Sequence, residues 1–446
     1  MVFLKYDWMV NNYFVKIIST IVNQSQLSKR LFSGVAWTLV GSIIGKFLQL
    51  ISFIVVAQIL GKEEYGQVGI IRSTLAMFLM FSSLGMSMTA SRYIALYRNS
   101  DPGKAYQIYK FTHNSIIIFG IVIALLLFFF SSYIAENSLN NIGLSNPLKL
   151  SAIVLFFLSL TSAQTGALNG FENFKALGLH SIINGVLQTA LIVAGAYYFG
   201  INGVIIALGV TALLLYFQYR FSLKSNLKIL KQAPKSKDEK FKNSSIFFKF
   251  SLPAVLSGIA TVPVLWWAKT YLVRHGGFGE MAIYDVAEQW YFVLLFIPNS
   301  LSSIILPLLT NTTAEGTEAQ YTKLIKLNLI INFTITFVIA IFIAIFSPLI
   351  YSFYGKDFLN NTPMLILLIT AVICATNNVL GQVIASKGKM WIGLGVNSLW
   401  GLWLVLFSIL FIGNYGLGST GLAYAMLVSY FLHSLTQLFV AFKIKM

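Results

Sequence analysis

Five ionisable side chains fall where the sequence is otherwise apolar: Lys46, Arg72, Lys269, Asp285 and Glu288. Their types limit the chemistry they can do. An ammonium in hydrocarbon attracts an anion, and a guanidinium can fork two parallel hydrogen bonds onto phosphate oxygens. A carboxylate in a wet cleft can carry a proton or balance a cation. A charge at bilayer mid-depth costs about 3 kcal/mol or more unless it is solvated or paired, so each of the five marks a wet or paired position.

Lys46 lies in "SGVAWTLVGSIIGKFLQLISFIVVAQIL", residues 33–60. At 100° per residue, Thr38, Ser42, Gly45, Lys46, Gln49 and Ser52 share one arc of a helix. Val40, Ile43, Ile44, Phe47, Leu50, Ile51 and Ile54 take the other side, and only Phe53 intrudes on the polar arc. Lys46 is roughly 18 Å along the axis at 1.5 Å per residue, too deep to snorkel easily. The pattern predicts Ser42, Lys46 and Gln49 facing a water-filled cavity; a lysine paired for packing is the alternative. Arg72 lies about two turns into the next run, with an arginine at lipid headgroups as its alternative. Asp285 and Glu288 are three apart and share a helix face, with Lys269 on the preceding run. They are candidates for ion coupling; an outer-surface ion pair among Lys269, Arg274, Asp285 and Glu288 is the other reading.

These residues need elements that cross a bilayer. The chain has 446 residues, 57% hydrophobic and only 10% charged, with a mean hydropathy of +0.77. Runs of about 20 apolar residues recur, each long enough to span as a helix. The sequence predicts an all-α polytopic membrane protein with twelve transmembrane helices: 33–60, 66–96, 111–135, 148–171, 176–199, 201–221, 247–273, 282–309, 324–353, 363–386, 391–413 and 418–441. Counting adjoining span ends, 24 of the 31 Lys and Arg fall on the amino terminus, alternate connections and the tail. That bias predicts both termini in the cytoplasm. It also accounts for most of the +17 net charge without nucleic acid.

Four segments follow: a cytoplasmic or interfacial amphipathic stretch at 1–32, a first lobe at 33–221, a basic cytoplasmic linker at 222–246 and a second lobe at 247–446. Each lobe holds six spans, so any repeat is parallel, about an axis along the membrane normal. At an offset of 216 residues, Gly185 falls on Gly401 and Gly200 on Gly416. The single cysteine, Cys374, excludes an internal disulfide. No Walker lysine motif, HExxH, GxSxG or metal-ligand spacing occurs, so no catalytic residue, metal or cofactor is expected and the chain is read as a non-enzyme.

The segments "SGVAWTLVGSIIGKFLQLISFIVVAQILGKEEYGQVGIIRS", "FSSLGMSMTASRYIA", "ALNGFENFKALGL" and "VIASKGKMWIGL" resemble the polysaccharide and O-antigen flippases of the multidrug/oligosaccharidyl-lipid/polysaccharide (MOP) exporter superfamily. The resemblance covers about residues 30 to 442. It implies two six-helix lobes in the manner of MATE transporters, in a bacterial inner membrane. It further implies alternating access that carries undecaprenyl-pyrophosphate-linked oligosaccharide from the cytoplasmic to the periplasmic leaflet. H+ or Na+ coupling and contact with membrane lipids and with polysaccharide polymerase and chain-length proteins go with it. The substrate phosphate would meet Lys46, Arg72, Gln49, Ser42 and Lys269, and coupling would use Glu288 and Asp285. A multidrug or cation exporter of the same superfamily, and a membrane glycosyltransferase or polymerase, are the competing functions.

Overall fold

The computed structural model describes residues 26–232, 256, 258, 260–315, 318–387 and 389–443. Among them all regular structure is helical. The helices are α1 (Gln26–Ser83), α2 (Met86–Tyr97), α3 (Pro102–Tyr133), α4 (Ser145–Gly170), α5 (Phe174–Gln232), α6 (Val262–Glu315), α7 (Glu318–Tyr354), α8 (Thr362–Ser386), α9 (Met390–Ser408) and α10 (Gly418–Lys443). Eight helical segments of the described residues are long and apolar enough to cross a membrane. The expected amphipathic stretch up to residue 25 and the linker from 233 to 246 lie outside the described residues, whereas 222–232 continue α5 as helix.

Fewer helices than the twelve expected spans arise because three of them run through a bend. α1 turns at Gly61, α5 at Gly200 and α6 at Gly277, each with φ between 57° and 81°. Only glycine visits this left-handed backbone freely, so the chain reverses without a loop. The expected second span, 66–96, is interrupted instead at Leu84 and Gly85, both at positive φ. Pro102 opens α3 behind an Asp101 cap, whose carboxylate accepts from the Lys104 backbone N–H at 2.9 Å. Pro263 sits in the first turn of α6, where it starts a helix rather than kinking one.

Small residues let helices approach closely where no hydrophobic force drives them together in lipid. Gly41 of α1 packs on Gly178 of α5, and Gly45 on Ser181 and Gly185. The Thr38 hydroxyl donates to the Phe174 carbonyl at 3.1 Å, and Thr189 donates to the Leu48 carbonyl at 3.0 Å. Part of the polar arc of α1 is therefore spent on packing.

Helices α1–α5 pack chiefly on one another, as do α6–α10, and the halves meet where α1 lies against α6 and α7. The positive-φ glycines repeat between the halves: Gly61 with Gly277 and Gly200 with Gly416, each pair 216 positions apart. At the seam, a Cβ on Gly66 would overlap the Phe278 carbonyl and stand 3.1 Å from the Ala282 nitrogen; one on Gly69 would stand 3.1 Å from the Asp285 carboxyl carbon. Residues 66 and 282, like 69 and 285, also differ by 216. Equivalent positions meet each other only beside a twofold axis. The fully buried Tyr65 stands edge-on to Tyr354 and Phe358 here, and Gln58 donates to the Phe353 carbonyl at 2.6 Å. These contacts close the halves together at the glycine-bend end.

Candidate substrate cavity between the halves

Behind that closure lies a cavity of about 270 Å³. α1 supplies Lys46, Gln49, Leu50, Phe53 and, past its bend, Arg72; α6 supplies Gln289, Phe292, Val293, Phe296 and Asn299. Three of the expected site residues, Lys46, Gln49 and Arg72, therefore line one space. Their spacing explains it: Lys46, Gln49 and Phe53 are three and four apart, one face of a helix. Among the described residues, Lys46 and Arg72 are the only charged ones in the lining.

The two cations are held differently. The Lys46 ammonium lies 5.7 Å from the Phe296 ring centroid, a cation–π distance, and among the described residues it has no carboxylate in ion-pair range. The Arg72 guanidinium lies 3.9 Å over the Phe53 ring and 3.3 Å from Asp285 Oδ2. Its side chain keeps 27% exposure, against 6% for Asp285. Gln289 locks this corner by donating to the Tyr65 hydroxyl at 2.6 Å and to Asp285 Oδ2 at 2.8 Å. Phe53 intrudes on the polar arc because it is the platform under Arg72.

Ser42 and Lys269 do not line this cavity. The Lys269 ammonium donates to Glu288 Oε2 at 2.5 Å, with both side chains about nine-tenths buried. The pair resembles the ion-pair reading in composition but lies inside the protein, and Arg274 is exposed and outside it. Of the polar residues on α7 and α8, Asn377 receives the Ser434 hydroxyl at 2.5 Å and is spent between α8 and α10. Asn378 reaches the cavity rim by donating to Asn299 at 2.9 Å. The aromatic wall, Phe292 and Phe296, was not legible as a site; its signal is the spacing of both with Gln289 and Asn299 along one face of α6.

Helical repeats around a charged, partly aromatic cavity are an arrangement common among membrane transporters. The fold agrees with this. The chain is similar to an inward-facing multidrug-resistance MATE transporter of the MOP superfamily, with a TM-score of 0.72 and 14% identity, covering 89% of this chain and 94% of that one. It is likewise similar to a MOP superfamily transporter from Pyrococcus furiosus, with a TM-score of 0.70 and 14% identity, covering 91% and 94%.

By sequence, residues 31–313 match the polysaccharide biosynthesis protein family, and the chain belongs to that family. Among curated relatives, it is 25% identical over 288 residues to the EPS I polysaccharide export inner membrane protein EpsE of Ralstonia nicotianae, covering 62% of this chain and 63% of that protein. It is 24% identical over 388 residues to the protein of the same name from Ralstonia solanacearum, covering 85% and 86%.

Proposed function

We propose that this protein exports polysaccharide precursors across a bacterial inner membrane, carrying undecaprenyl-pyrophosphate-linked oligosaccharide from the cytoplasmic to the outer leaflet by alternating access. The observation that carries the reading is the charge of the cavity: Lys46 and Arg72 line it, and Asp285 is engaged with Arg72 and Gln289. A pyrophosphate crossing hydrocarbon needs such fixed positive charge. The amides of Gln49, Gln289 and Asn299 can exchange hydrogen bonds with sugar hydroxyls, and Phe292 and Phe296 offer apolar faces. A cation exporter would need the opposite polarity in this space.

With both termini cytoplasmic, as the lysine and arginine bias supports, the glycine-bend end faces outward and the cavity is sealed on that side. Ion coupling by H+ or Na+ is assigned to Glu288 and Asp285. Each holds a cation from another span, so a proton or ion that neutralises it frees that cation. A ligand shifts a two-state equilibrium only through its different affinity for the two states, and these pairs supply such a difference.

The test is flipping of undecaprenyl-pyrophosphate-linked oligosaccharide in liposomes, with imposed pH or sodium gradients. The wild-type chain is expected to flip this lipid and respond to one gradient. Glu288→Gln is expected to bind the lipid yet lose the response. No flipping by a folded wild-type chain overturns the export reading. An unchanged response in Glu288→Gln removes Glu288 from coupling.

A further inference from the structure

A second, larger cavity of about 920 Å³ lies wholly within the first half, between the start of α3 and the last four turns of α5. It shares no residue with the central cavity. Its α5 wall is Phe217, Arg220, Phe221, Lys224, Leu227, Lys228 and Lys231. These follow helical spacing, and every Arg and Lys between 220 and 232 points to this one face. The facing α3 wall adds Lys110, His113 and the stacked Tyr109, with ring centroids of His113 and Tyr109 5.5 Å apart. His113 Nδ1 is shielded from solvent and has no hydrogen-bond partner among the described residues. Among the described residues, no carboxylate lines the space.

Topology explains why basic residues occur at this level of the chain. It does not explain why two helices turn them toward a shared cleft, where like charges repel, rather than distributing them around the surface. Fixed repulsion of that kind is relieved by an anion between the walls. Alternation of cations with Phe217, Phe221 and Leu227 fits a ligand that is part phosphate and part hydrocarbon.

We propose that this groove holds the phosphate headgroup of an anionic phospholipid, with its acyl chains against the phenylalanines, as a site separate from the transported cargo. The test uses the full-length protein in neutral detergent, titrated with short-chain phosphatidylglycerol, short-chain phosphatidylcholine or inorganic pyrophosphate, with binding read by thermal shift. Phosphatidylglycerol is expected to saturate, and the exposed triple variant Arg220→Gln/Lys224→Gln/Lys228→Gln to bind it roughly tenfold more weakly. A control triple, Lys175→Gln/Lys326→Gln/Lys389→Gln, removes the same charge elsewhere and is expected to bind like wild type. Equal loss in both triples reduces the effect to net surface charge and overturns the site. Equal response to phosphatidylcholine removes the need for charge, and equal or tighter binding of pyrophosphate shows a free-anion site rather than a lipid one; either overturns the proposal.

Discussion

Positions 53 and 72 of the first half correspond, 216 residues on, to positions 269 and 288 of the second. In both halves the two side chains touch. In the first, Arg72 lies over Phe53 at 3.9 Å; in the second, Lys269 meets Glu288 at 2.5 Å. The frame is the same and the chemistry is opposite. Phe53 supports a guanidinium without neutralising it, so Arg72 keeps exposure to the cavity and a hand for Asp285. Glu288 cancels Lys269, and both are sealed away. A repeated scaffold thus gives one half a cation that a ligand can reach and the other half a closed pair. Placing a charge within a span therefore says little about its role until its partner is known.

The largest expected effect comes from breaking the closed pair. Lys269→Met leaves Glu288 buried and unpaired, which costs about 3–5 kcal/mol. Thermal unfolding in detergent is expected to show a large loss, with Lys269→Met/Glu288→Leu regaining most of it. A double variant as unstable as the single would mean that shape, not charge, holds this site.

Removing the open charge comes next. Lys46→Ala withdraws a charge-assisted contact of about 1.5–3 kcal/mol, so surface polysaccharide is expected to fall at least tenfold while membrane abundance of the protein stays normal. Lys46→Arg keeps the charge and should retain most export. Normal export by Lys46→Ala would take Lys46 out of the transport path.

Phe53→Leu sharpens the comparison most finely. It removes a cation–π contact of about 1 kcal/mol and lets Arg72 settle on Asp285. Export is expected to drop severalfold with little change in unfolding temperature. If Phe53→Leu matches Lys46→Ala in severity, Arg72 rather than Lys46 carries the central charge.

Much of this was legible in the sequence because bilayer physics imposes simple patterns. Apolar runs marked the spans, and three of the gaps between expected spans, at 61–65, 200 and 274–281, hold Gly61, Gly200 and Gly277, where the structure bends. The polar arc of the first run put Lys46 and Gln49 on one helix face, and both line the cavity. Ser42 shares that arc but does not line the cavity, because periodicity gives a face and not its neighbour; Thr38 and Gly45 of the same arc meet α5 instead. The pairing of Lys269 with Glu288 and of Arg72 with Asp285 was beyond reach, since it depends on which spans cross at the seam. Phe292 and Phe296 read as ordinary apolar positions for the same reason.

The meeting of equivalent residues at the seam carries a consequence for how such a chain could arise. Two identical half-length polypeptides pairing about this axis would present the same residue twice at each central position. Asp285 would face its twin where Gly69 now stands, and two carboxylates would repel. Once both copies are joined in one gene, each can mutate alone: glycine on one side makes room, aspartate on the other fills it, and arginine at 72 no longer demands arginine at 288. Fusion is thus what permits the two faces of the axis to become complementary instead of merely alike.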